Sequence, residues 1–409
     1  MTDASAHIVI LGAGHAGGTV AALLRQYGHA GPITLVGEEP IAPYQRPPLS
    51  KAWLKGEADA ESLALKPTAF YAEANIDFRP NLRGLALDRS ARTVALSDGS
   101  SLAYDILILA TGARPIVLPL AGGDLAGVLF LRSAADAEAL KTALKPGVKL
   151  AVVGGGYIGL EAAASARSLG AEVVVIERED RLLARVACEQ LSSFFQAYHE
   201  RQGVRFVLGA SVTGFVGDAG RLTGVTLTDG RTLACDAALV GVGAAPNDEI
   251  AREAGLECAR GIVVDLTART ADPAIYAIGD VTQRPLPLYG RMHRLESVPN
   301  ALEQAKQAAC DITGRPAPAS ETPWFWSDQY DLKLQIAGLP FDVDRLIVRG
   351  DPATAKFAIF HLKGDQLQAV EAVNAPPEFM AGRQFIQNRK PISSERLANP
   401  AISMKEVGA

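Results

Sequence analysis

Two glycine-rich turns carry the residue types that bind a dinucleotide. The first is Gly12-Ala-Gly14-His-Ala-Gly17 and the second is Gly154-Gly-Gly156-Tyr-Ile-Gly159. In such a turn one glycine permits a tight bend, one lets the backbone approach a pyrophosphate, and one lets the next helix pack on the strand. The N–H groups and positive dipole end of that helix attract phosphate. Two turns predict two nucleotide cofactors, one that brings electrons and one that relays them.

Each turn has the strands, helix and acidic residue that a dinucleotide site needs. Around the first turn these are the strand Ile8–Leu11, the strand Ile33–Val36 and Glu38; around the second they are the strand Leu150–Val153, the helix Leu160–Leu169, the strand Val173–Ile176 and Glu177. The order strand, glycine turn, helix, strand, acid is the full Rossmann signature, in which the acid hydrogen-bonds ribose hydroxyls. The sequence therefore predicts two Rossmann-like domains.

An internal repeat extends beyond the turns. Val94–Pro115 aligns with Val225–Pro246 without a gap, and each copy holds an Asp-Gly pair, an apolar run and a final Gly-Ala-x-Pro. Asp-Gly between short strands is typical of a hairpin turn. We expect each Rossmann unit to carry the same β-excursion and returning strand, with the glycine and proline at each exit as hinges between domains.

The chain after Pro246 does not begin a third nucleotide unit. Predicted strands at Ile262–Asp265 and Ile275–Asp280 and a helix at Asn300–Ile312 return to complete the first domain. From Thr322 the pattern changes to the strands Leu332–Ala337, Arg345–Val348, Lys356–Leu362 and Leu367–Val373 and a helix from about Pro377 to Asn388. The fold class is α/β: a discontinuous FAD-type domain (1–115 and 247–321), an NAD-type domain (116–246) and a C-terminal α/β domain (322–409).

Composition and cysteine usage limit the class of protein. The 409 residues are 48% hydrophobic and 21% charged with a net charge of −5, which indicates a globular chain and argues against a general nucleic-acid binder. Without a recognisable signal peptide or an apolar run of bilayer length, we expect a cytoplasmic protein. The cysteines are Cys188, Cys235, Cys258 and Cys310. They show neither C-x-x-C nor zinc-finger spacing, so the expectation is reduced thiols and no metal.

The motifs together resemble the flavoprotein ferredoxin reductases of the putidaredoxin reductase type, within the glutathione-reductase-like fold. They run nearly from end to end: Arg46-Pro-Pro-Leu-Ser-Lys51, Ala110-Thr-Gly-Ala-Arg-Pro115, Gly154-Gly-Gly-Tyr-Ile-Gly-Leu-Glu161, Ile278-Gly-Asp280, Glu296-Ser-Val-Pro-Asn-Ala301 and Pro323-Trp-Phe-Trp-Ser-Asp-Gln329. The resemblance implies FAD on the first Rossmann unit, NADH on the second and a C-terminal domain beside the flavin. Related reductases serve haem-thiolate monooxygenases or aromatic-ring dioxygenases through a small iron–sulfur protein, and the resemblance does not choose between the two.

The resemblance also implies roles for individual residues around FAD. Gly12, Gly14, Ala16 and Gly17 form the pyrophosphate turn, Glu38 binds the adenosine ribose, Gly84 contacts adenine, Arg132 lies near the phosphates, Asp280 binds the ribityl chain, Val298 faces the flavin, and Arg46, Lys51, Ala110, Thr111 and Gly112 complete the set. Lys51 corresponds to a lysine beside the flavin ring and is a candidate catalytic residue.

For NADH the implied residues lie on the second turn. They are Gly154, Gly156, Tyr157, Ile158, Gly159, Glu161, Glu177 and Gly243. Tyr157 corresponds to an aromatic ring that covers the flavin and swings aside for nicotinamide, and Glu161 to an acid near the carboxamide and Lys51; both are candidate catalytic residues. An acid such as Glu177 repels a 2′-phosphate, and a single arginine among acids, Arg178, makes a poor phosphate site. NADH is therefore expected over NADPH.

The cysteine positions limit where electrons can go. Disulfide reductases of this fold pass electrons to a cysteine pair soon after the first turn, whereas this chain has no cysteine before Cys188. The remaining exit is one electron at a time to a docked redox protein. The family's docking face implies the residues Trp326, Lys306, Lys333, Arg383 and Lys405. Basic residues suit an acidic [2Fe–2S] ferredoxin by electrostatic steering, and a rubredoxin acceptor stays open.

Two other classes of function remain open. One is a redox-signalling flavoprotein of the apoptosis-inducing-factor type, in which turnover is incidental. The other is a different NADH-dependent flavin enzyme on the same fold, such as a monodehydroascorbate reductase or an oxidase. The three classes differ in whether NADH oxidation is coupled to iron–sulfur proteins, to small dyes or to oxygen.

Overall fold

The chain alternates strands and helices over most of its length, as the glycine turns and the repeat predict. The computed structural model describes residues 4–408. In chain order the strands are β1 (Ile8–Leu11), β2 (Ile33–Val36), β3 (Ile76–Arg79), β4 (Gly84–Asp88), β5 (Thr93–Leu96), β6 (Ser101–Ala103), β7 (Ile106–Leu109), β8 (Ala113–Pro115), β9 (Val128–Leu129), β10 (Lys149–Val153), β11 (Glu172–Ile176), β12 (Arg205–Val207), β13 (Val212–Asp218), β14 (Arg221–Leu227), β15 (Thr232–Ala234), β16 (Ala237–Val240), β17 (Ala244–Pro246), β18 (Ile262–Val263), β19 (Ile275–Ala277), β20 (Thr282–Leu286), β21 (Arg291–His293), β22 (Trp324–Gln329), β23 (Leu332–Gly338), β24 (Arg345–Asp351), β25 (Lys356–Lys363) and β26 (Gln366–Val373).

Helices connect these strands and cover the sheets. The α-helices are α1 (His15–Gln26), α2 (Ala52–Lys55), α3 (Ala60–Leu63), α4 (Ala69–Glu73), α5 (Ala134–Ala143), α6 (Tyr157–Ser168), α7 (Glu189–Arg201), α8 (Glu249–Glu253), α9 (Val298–Ile312), α10 (Pro376–Asn388), α11 (Ser394–Ala398) and α12 (Met404–Val407). Short 3-10 helices lie at Pro47–Ser50, Gly279–Val281 and Pro352–Thr354. No helix within residues 4–408 has both the length and the apolar character needed to cross a bilayer.

The first compact unit is built on a five-stranded parallel sheet. It comprises the chain as far as Gln45 together with Ala60–Arg114 and Ala245–Phe325. The strand order is β19-β7-β1-β2-β3, and β1 pairs with β2 and β7 in parallel. Its central strands are buried along their whole length, as expected for a parallel sheet that helices cover on both faces. Strand β19 pairs with β7, so the chain after Pro246 does return to the first Rossmann sheet.

The second compact unit contains the other Rossmann sheet and the C-terminal sheet. It comprises Arg46–Asp59, Pro115–Ala244 and the chain from Trp326. The parallel sheet has the order β12-β11-β10-β16-β9. The C-terminal sheet has the order β22-β23-β26-β25-β24, with antiparallel pairs β23·β26, β25·β26 and β24·β25, and α10 packs against β26. The strands and helix predicted after Thr322 are confirmed within one to three residues at each end.

The two β-excursions of the repeat are three-stranded in both copies. One is β4-β5-β6 and the other is β13-β14-β15. Each Asp-Gly pair turns the chain between the last two strands, and in the first copy the Asp98 side chain accepts a hydrogen bond from the Ser100 N–H. The returning strands β7 and β16 then join their parent sheets beside β1 and β10. The predicted duplication is therefore confirmed at the level of strand pairing.

Candidate functional site

The first glycine turn has the open backbone that a pyrophosphate needs. Gly12 has a φ of +111°, and a Cβ there would lie 2.2 Å from the Ala110 carbonyl oxygen, so only glycine fits. A Cβ on Gly14 would meet nothing within 4 Å, and Gly14 caps α1 without a side-chain hydrogen bond. The start of α1 therefore presents N–H groups toward open space, which fits a bound diphosphate.

The other FAD candidates of the first unit line its strand ends. The backbone N–H of Ala110 hydrogen-bonds Leu11, directly after β7. Asp280 lies in the 3-10 turn after β19, and Val298 begins α9 after the Ser297 cap. Glu38 follows β2, its side chain is 73% exposed, and Arg83 approaches it at 4.0 Å. Gly84 begins β4, and Ala16 and Gly17 are buried in α1.

Asn247 is a positioning residue that the sequence analysis missed. Its side-chain amide donates to the Thr111 carbonyl at 2.8 Å, and its backbone N–H donates to the Gly112 carbonyl at 3.0 Å. The Thr111 hydroxyl donates in return to the Asn247 carbonyl at 2.8 Å. These reciprocal bonds fix the Thr-Gly segment after β7. Its position directly after the repeated Gly-Ala-x-Pro was the available sequence signal.

The second glycine turn repeats this geometry and adds a bound acid. Gly154 has a φ of +109°, a Cβ there would lie 2.4 Å from the Gly241 carbonyl oxygen, and Gly156 again faces open space. The Glu177 carboxylate accepts hydrogen bonds from the N–H groups of Gly155 at 2.7 Å and Glu179 at 3.0 Å. Glu177 is thus held against the turn by the backbone. The start of α6 also fits a dinucleotide phosphate.

Other residues of the second unit lie near the turn or on its rim. Arg178 pairs with Glu179 at 3.0 Å on the surface, which leaves its charge compensated by an acid. Ile158 is 49% exposed on the first turn of α6. Gly159 lies where a Cβ would come within 2.3 Å of the Gly154 carbonyl oxygen, and Gly243 is exposed with a φ of +126°.

Glu161 is a buried acid of the second unit that three side chains hydrogen-bond. Its side chain is 3% exposed and accepts hydrogen bonds from Lys51 at 2.6 Å, from the Ser50 hydroxyl at 2.5 Å and from the Ser327 hydroxyl at 2.7 Å. Helix α2, which Lys51 precedes, packs against α6, which holds Glu161. The pairing of Lys51 with Glu161 that the resemblance implies is present. The two serines were not anticipated.

A chain of hydrogen bonds leads from α7 through β22 to this carboxylate. His199 donates to the Gln329 side-chain oxygen at 2.7 Å, Gln329 donates to Ser327 at 3.0 Å, and Ser327 donates to Glu161. Tyr330 approaches the other ring nitrogen of His199 at 3.4 Å. With Nε2–H as the assigned tautomer, every donor in the chain points toward Glu161, an arrangement that polarises each bond in favour of the anion.

Burial keeps His199 neutral in this chain. The side chain is fully buried on α7, and burial lowers the pKa of His199 to about 4 against a smaller raising effect of its bond to Gln329. Ser327 and Gln329 alternate along β22, so both point to one face of that strand. The sequence Ser327-Asp328-Gln329 is polar at three consecutive positions, so it carries no signal for which face of β22 is buried.

Tyr157 begins α6 and stands beside a second polar cluster. Its hydroxyl donates to the Val186 carbonyl at 3.4 Å. Burial raises the pKa of the Tyr157 hydroxyl well above its usual value, with smaller contributions from Glu371 and Cys188. Tyr157 therefore remains a protonated, hydrogen-bonded phenol across the physiological pH range.

The remaining candidates divide into internal and surface residues. Arg46 donates to the Arg132 carbonyl at 2.5 Å, and the Arg132 N–H donates to Asp136 at 3.0 Å next to the capping box of α5. Trp326 and Arg383 are half-buried. Lys306, Lys333 and Lys405 are exposed.

Comparison with known proteins gives matches over the full length of the chain. Residues 6–305 match the family described as Pyridine nucleotide-disulphide oxidoreductase, and residues 324–408 match the family Reductase C-terminal. A probable ferredoxin reductase, CtmF, of Castellaniella defragrans is 53% identical over 98% of both chains. Putidaredoxin reductase CamA of Pseudomonas putida is 41% identical over 99% of this chain and 97% of its own. A crystal structure of a covalent putidaredoxin reductase–putidaredoxin complex superposes with a TM-score of 0.97, at 41% identity, over 99% of this chain and 98% of the other.

Proposed function

Because the chain belongs to the pyridine nucleotide-disulphide oxidoreductase family, and ferredoxin reductases are among its similar relatives, we propose that it is an NADH:ferredoxin oxidoreductase. It takes electrons from NADH through FAD and passes them, one at a time, to a [2Fe–2S] ferredoxin. That ferredoxin feeds a haem-thiolate monooxygenase or an aromatic-ring dioxygenase. The observation that carries the proposal is a pair of equivalent dinucleotide turns in a chain with no cysteine before Cys188.

Both dinucleotide turns fit the cofactors that the family binds. FAD accepts a hydride from NADH and can release the two electrons singly. We assign FAD to the turn at Gly12 and NADH to the turn at Gly154. The domain division that follows is an FAD-binding domain of 1–115 and 247–321, an NAD-binding domain of 116–246 and a C-terminal domain of 322–409. A cytoplasmic location accompanies this proposal, as the composition predicts.

The residues of the second unit then have specific tasks in hydride transfer. Glu161 and Lys51 orient the nicotinamide carboxamide, since a carboxylate accepts from an amide N–H and an ammonium donates to an amide oxygen. The bonds from Ser50 and Ser327 hold the Glu161 carboxylate in one orientation, which lowers the ordering cost at each binding event. Tyr157 moves aside to admit the nicotinamide ring.

The remaining assignments are part of the same proposal. For FAD the contacts are Gly12, Gly14, Ala16, Gly17, Glu38, Arg46, Lys51, Gly84, Ala110, Thr111, Gly112, Arg132, Asp280 and Val298; for NADH they are Gly154, Gly156, Tyr157, Ile158, Gly159, Glu177 and Gly243. Glu177 supports a preference for NADH, because a carboxylate fixed beside the turn repels a 2′-phosphate.

Trp326 and the basic residues Lys306, Lys333, Arg383 and Lys405 are proposed to guide the acidic ferredoxin. Three of the four basic side chains are exposed. Rim charges of this kind mainly change the association rate. Charge reversal of two exposed lysines, one at a time, tests this role. Lys333→Glu and Lys405→Glu are each expected to slow the reduction of a cytochrome through ferredoxin several-fold. The rate of NADH-dependent dye reduction is expected to stay near that of the native protein. Equal loss of both activities would assign the lysine to folding or cofactor binding.

One steady-state comparison decides among the functional classes. NADH oxidation is measured with oxygen alone, with ferricyanide and with a [2Fe–2S] ferredoxin or a rubredoxin coupled to cytochrome c. The proposal expects slow oxygen reduction and fast, saturable transfer to the ferredoxin. If electron transfer is saturable with rubredoxin and not with the ferredoxin, the proposed acceptor becomes a rubredoxin. Fast oxygen reduction with no saturable iron–sulfur acceptor would identify an oxidase and refute the proposal.

A further inference from the structure

A cysteine, a histidine and a glutamate meet in the second unit away from the glycine turn. Cys188 immediately precedes α7, and His361 and Glu371 lie on the adjacent strands β25 and β26. The Cys188 thiol donates to a Glu371 oxygen at 2.9 Å, and His361 Nε2 lies 3.2 Å from the same oxygen. All three ligand-type atoms lie within 4.8 Å of one another.

The register of β25 and β26 explains why the two strand residues meet. His361 is opposite Ala369, and Glu371 is opposite Ile359. The two side chains are therefore diagonal neighbours on one face of the antiparallel pair, close enough for long polar side chains to touch. Cys188 approaches them through its thiol and through its backbone N–H, which donates to Glu371 at 3.1 Å.

Two features of this cluster are unusual for a protein interior. The Glu371 side chain is 2% exposed, and no lysine or arginine forms an ion pair with it among the described residues. The His361 side chain is 4% exposed, and its Nε2 makes no hydrogen bond within residues 4–408 despite its closeness to Glu371. A buried carboxylate and a buried imidazole nitrogen both require a partner, and a cation would satisfy both.

We propose that Cys188, His361 and Glu371 form a binding site for a divalent zinc ion. The thiolate supplies sulfur, His361 supplies Nε2 and Glu371 supplies a carboxylate oxygen, and the proton of the Cys188 thiol is released to solvent on binding. A fourth ligand, water, reaches the ion from a surface cavity of about 430 Å³ that Cys188 and His361 line. This site lies outside the residues assigned above to FAD, NADH and ferredoxin.

Charge and geometry favour zinc over other common ions. One thiolate, one carboxylate and one neutral imidazole balance a charge of +2, so the loaded site is neutral and tolerates burial. Tetrahedral bonds of about 2.0–2.3 Å place ligand atoms about 3.3–3.6 Å apart. The nitrogen–oxygen separation of 3.2 Å already fits, the sulfur–oxygen separation of 2.9 Å must lengthen by about half an ångström, and the sulfur–nitrogen separation lies within 4.8 Å. Thiolate and imidazole select zinc over magnesium and calcium, which prefer oxygen ligands.

A reactive thiol is the main competing interpretation of Cys188. Burial, and then the neighbouring Glu371, raise the pKa of the Cys188 thiol to about 12. The thiolate fraction near neutral pH is therefore very small, and a thiolate is the nucleophile in cysteine chemistry. Without a metal, Cys188 is a protected thiol.

The ligand spacing explains why no metal site can be recognised in the sequence. Cys188 is separated from His361 by the later part of the NAD-type segment, the returning FAD-type segment 247–321 and the start of the C-terminal sheet. His361 and Glu371 are ten residues apart in different strands. Zinc motifs in sequences are recognised from ligands in one short segment. Ligands that come together only through strand register leave no such pattern.

The test measures metal binding by the FAD-loaded protein after chelator treatment and removal of the chelator. Titration with Zn²⁺ against a chromophoric chelator is expected to give one site per chain. Co²⁺ is expected to give a thiolate-to-cobalt charge-transfer band in the difference spectrum. Cys188→Ser and Glu371→Gln are expected to weaken Zn²⁺ binding by more than about 100-fold, since loss of a residue that only hydrogen-bonds a metal ligand already costs about 10- to 100-fold.

Matched controls separate this site from other cysteines and from misfolding. Cys310→Ser removes another buried cysteine, in the first unit, and is expected to bind Zn²⁺ like the native protein. In the native protein, Zn²⁺ is expected to displace Co²⁺ and abolish the cobalt–thiolate band, a result that needs no variant. Absence of the cobalt–thiolate band, or Zn²⁺ binding that is unchanged in Cys188→Ser, would overturn the proposal.

Discussion

The pair formed by Lys51 and Glu161 offers the sharpest test of how the second unit serves hydride transfer. The two groups are 2.6 Å apart, with Glu161 3% and Lys51 17% exposed. Lys51→Met and Glu161→Gln each remove one charge with little change in volume. If the pair orients the nicotinamide as one unit, either change removes one of the two groups that bind the carboxamide.

The size of the effect follows from the geometry of the pair. At 2.6 Å and an effective dielectric constant of about 20, the Coulomb attraction is about 6 kcal/mol, most of which offsets the loss of hydration. A charge-assisted hydrogen bond contributes about 1.5–3 kcal/mol net. If about 2 kcal/mol of this reaches the transition state, hydride transfer slows by about 30-fold, because about 1.4 kcal/mol is a factor of ten in rate.

Anaerobic stopped-flow reduction by NADH measures the first-order rate directly. Each single variant is expected to lose about 30-fold, and the double variant no more than the worse single variant, because groups that act as a unit are strongly non-additive. Lys55→Met is the matched control: Lys55 pairs with Glu57 on the surface, and such a pair contributes about 0–1 kcal/mol. Multiplicative losses in the double variant, or native rates in both single variants, would refute the reasoning.

Four further outcomes are expected. The native protein should have a higher kcat/KM with NADH than with NADPH, and the double variant Glu177→Ala with Glu179→Arg should narrow this difference. Equal kcat/KM values of the native protein for the two cofactors would contradict the proposed role of Glu177. Reduction of cytochrome through ferredoxin should slow as salt rises, since the Debye length falls from about 10 Å at 0.1 M to about 3 Å at 1 M, whereas NADH-dependent dye reduction should change little. The pKa of His199 is about 4 in the folded chain against an ordinary 6.5, so the unfolded chain binds that proton first as pH falls. Between pH 6.5 and 4 the free energy of unfolding should therefore decrease by up to about 3 kcal/mol more in the native protein than in His199→Asn, as measured by thermal unfolding. Acid denaturation should release intact FAD and leave no flavin on the polypeptide.

Local pattern was sufficient to predict the framework of the fold. The strands β1 and β10 and the helices after them follow from apolar runs beside glycine turns, because each signal lies within a few residues of the chain. The repeat Val94–Pro115 and Val225–Pro246 predicted both excursions, since hairpin turns depend on adjacent residues. The boundaries moved by only a few residues, as with α6, which begins at Tyr157 instead of Leu160.

Long-range contacts were beyond the same reasoning. The resemblance implied Lys51 beside Glu161, but Ser327, which bonds this carboxylate, and Gln329, which bonds Ser327, lie more than 160 residues further along the chain. Nothing in periodicity specifies which buried polar residue of β22 meets which residue of α6. Cys188 and Glu371 present the same difficulty, because their contact depends on the register of strands formed late in the chain.

The two dinucleotide turns share a backbone but differ in how their acids are held, and the difference matches the proposed roles of the two cofactors. Glu38 is 73% exposed with only a distant arginine, whereas Glu177 is bound by two backbone N–H groups of its own turn. Ordering a side chain on binding costs about 0.5–1.5 kcal/mol. A resident FAD meets that cost once, whereas NADH meets it in every catalytic cycle. A preorganised acid therefore favours the site whose ligand exchanges, and the turn at Gly154 is the one so prepared.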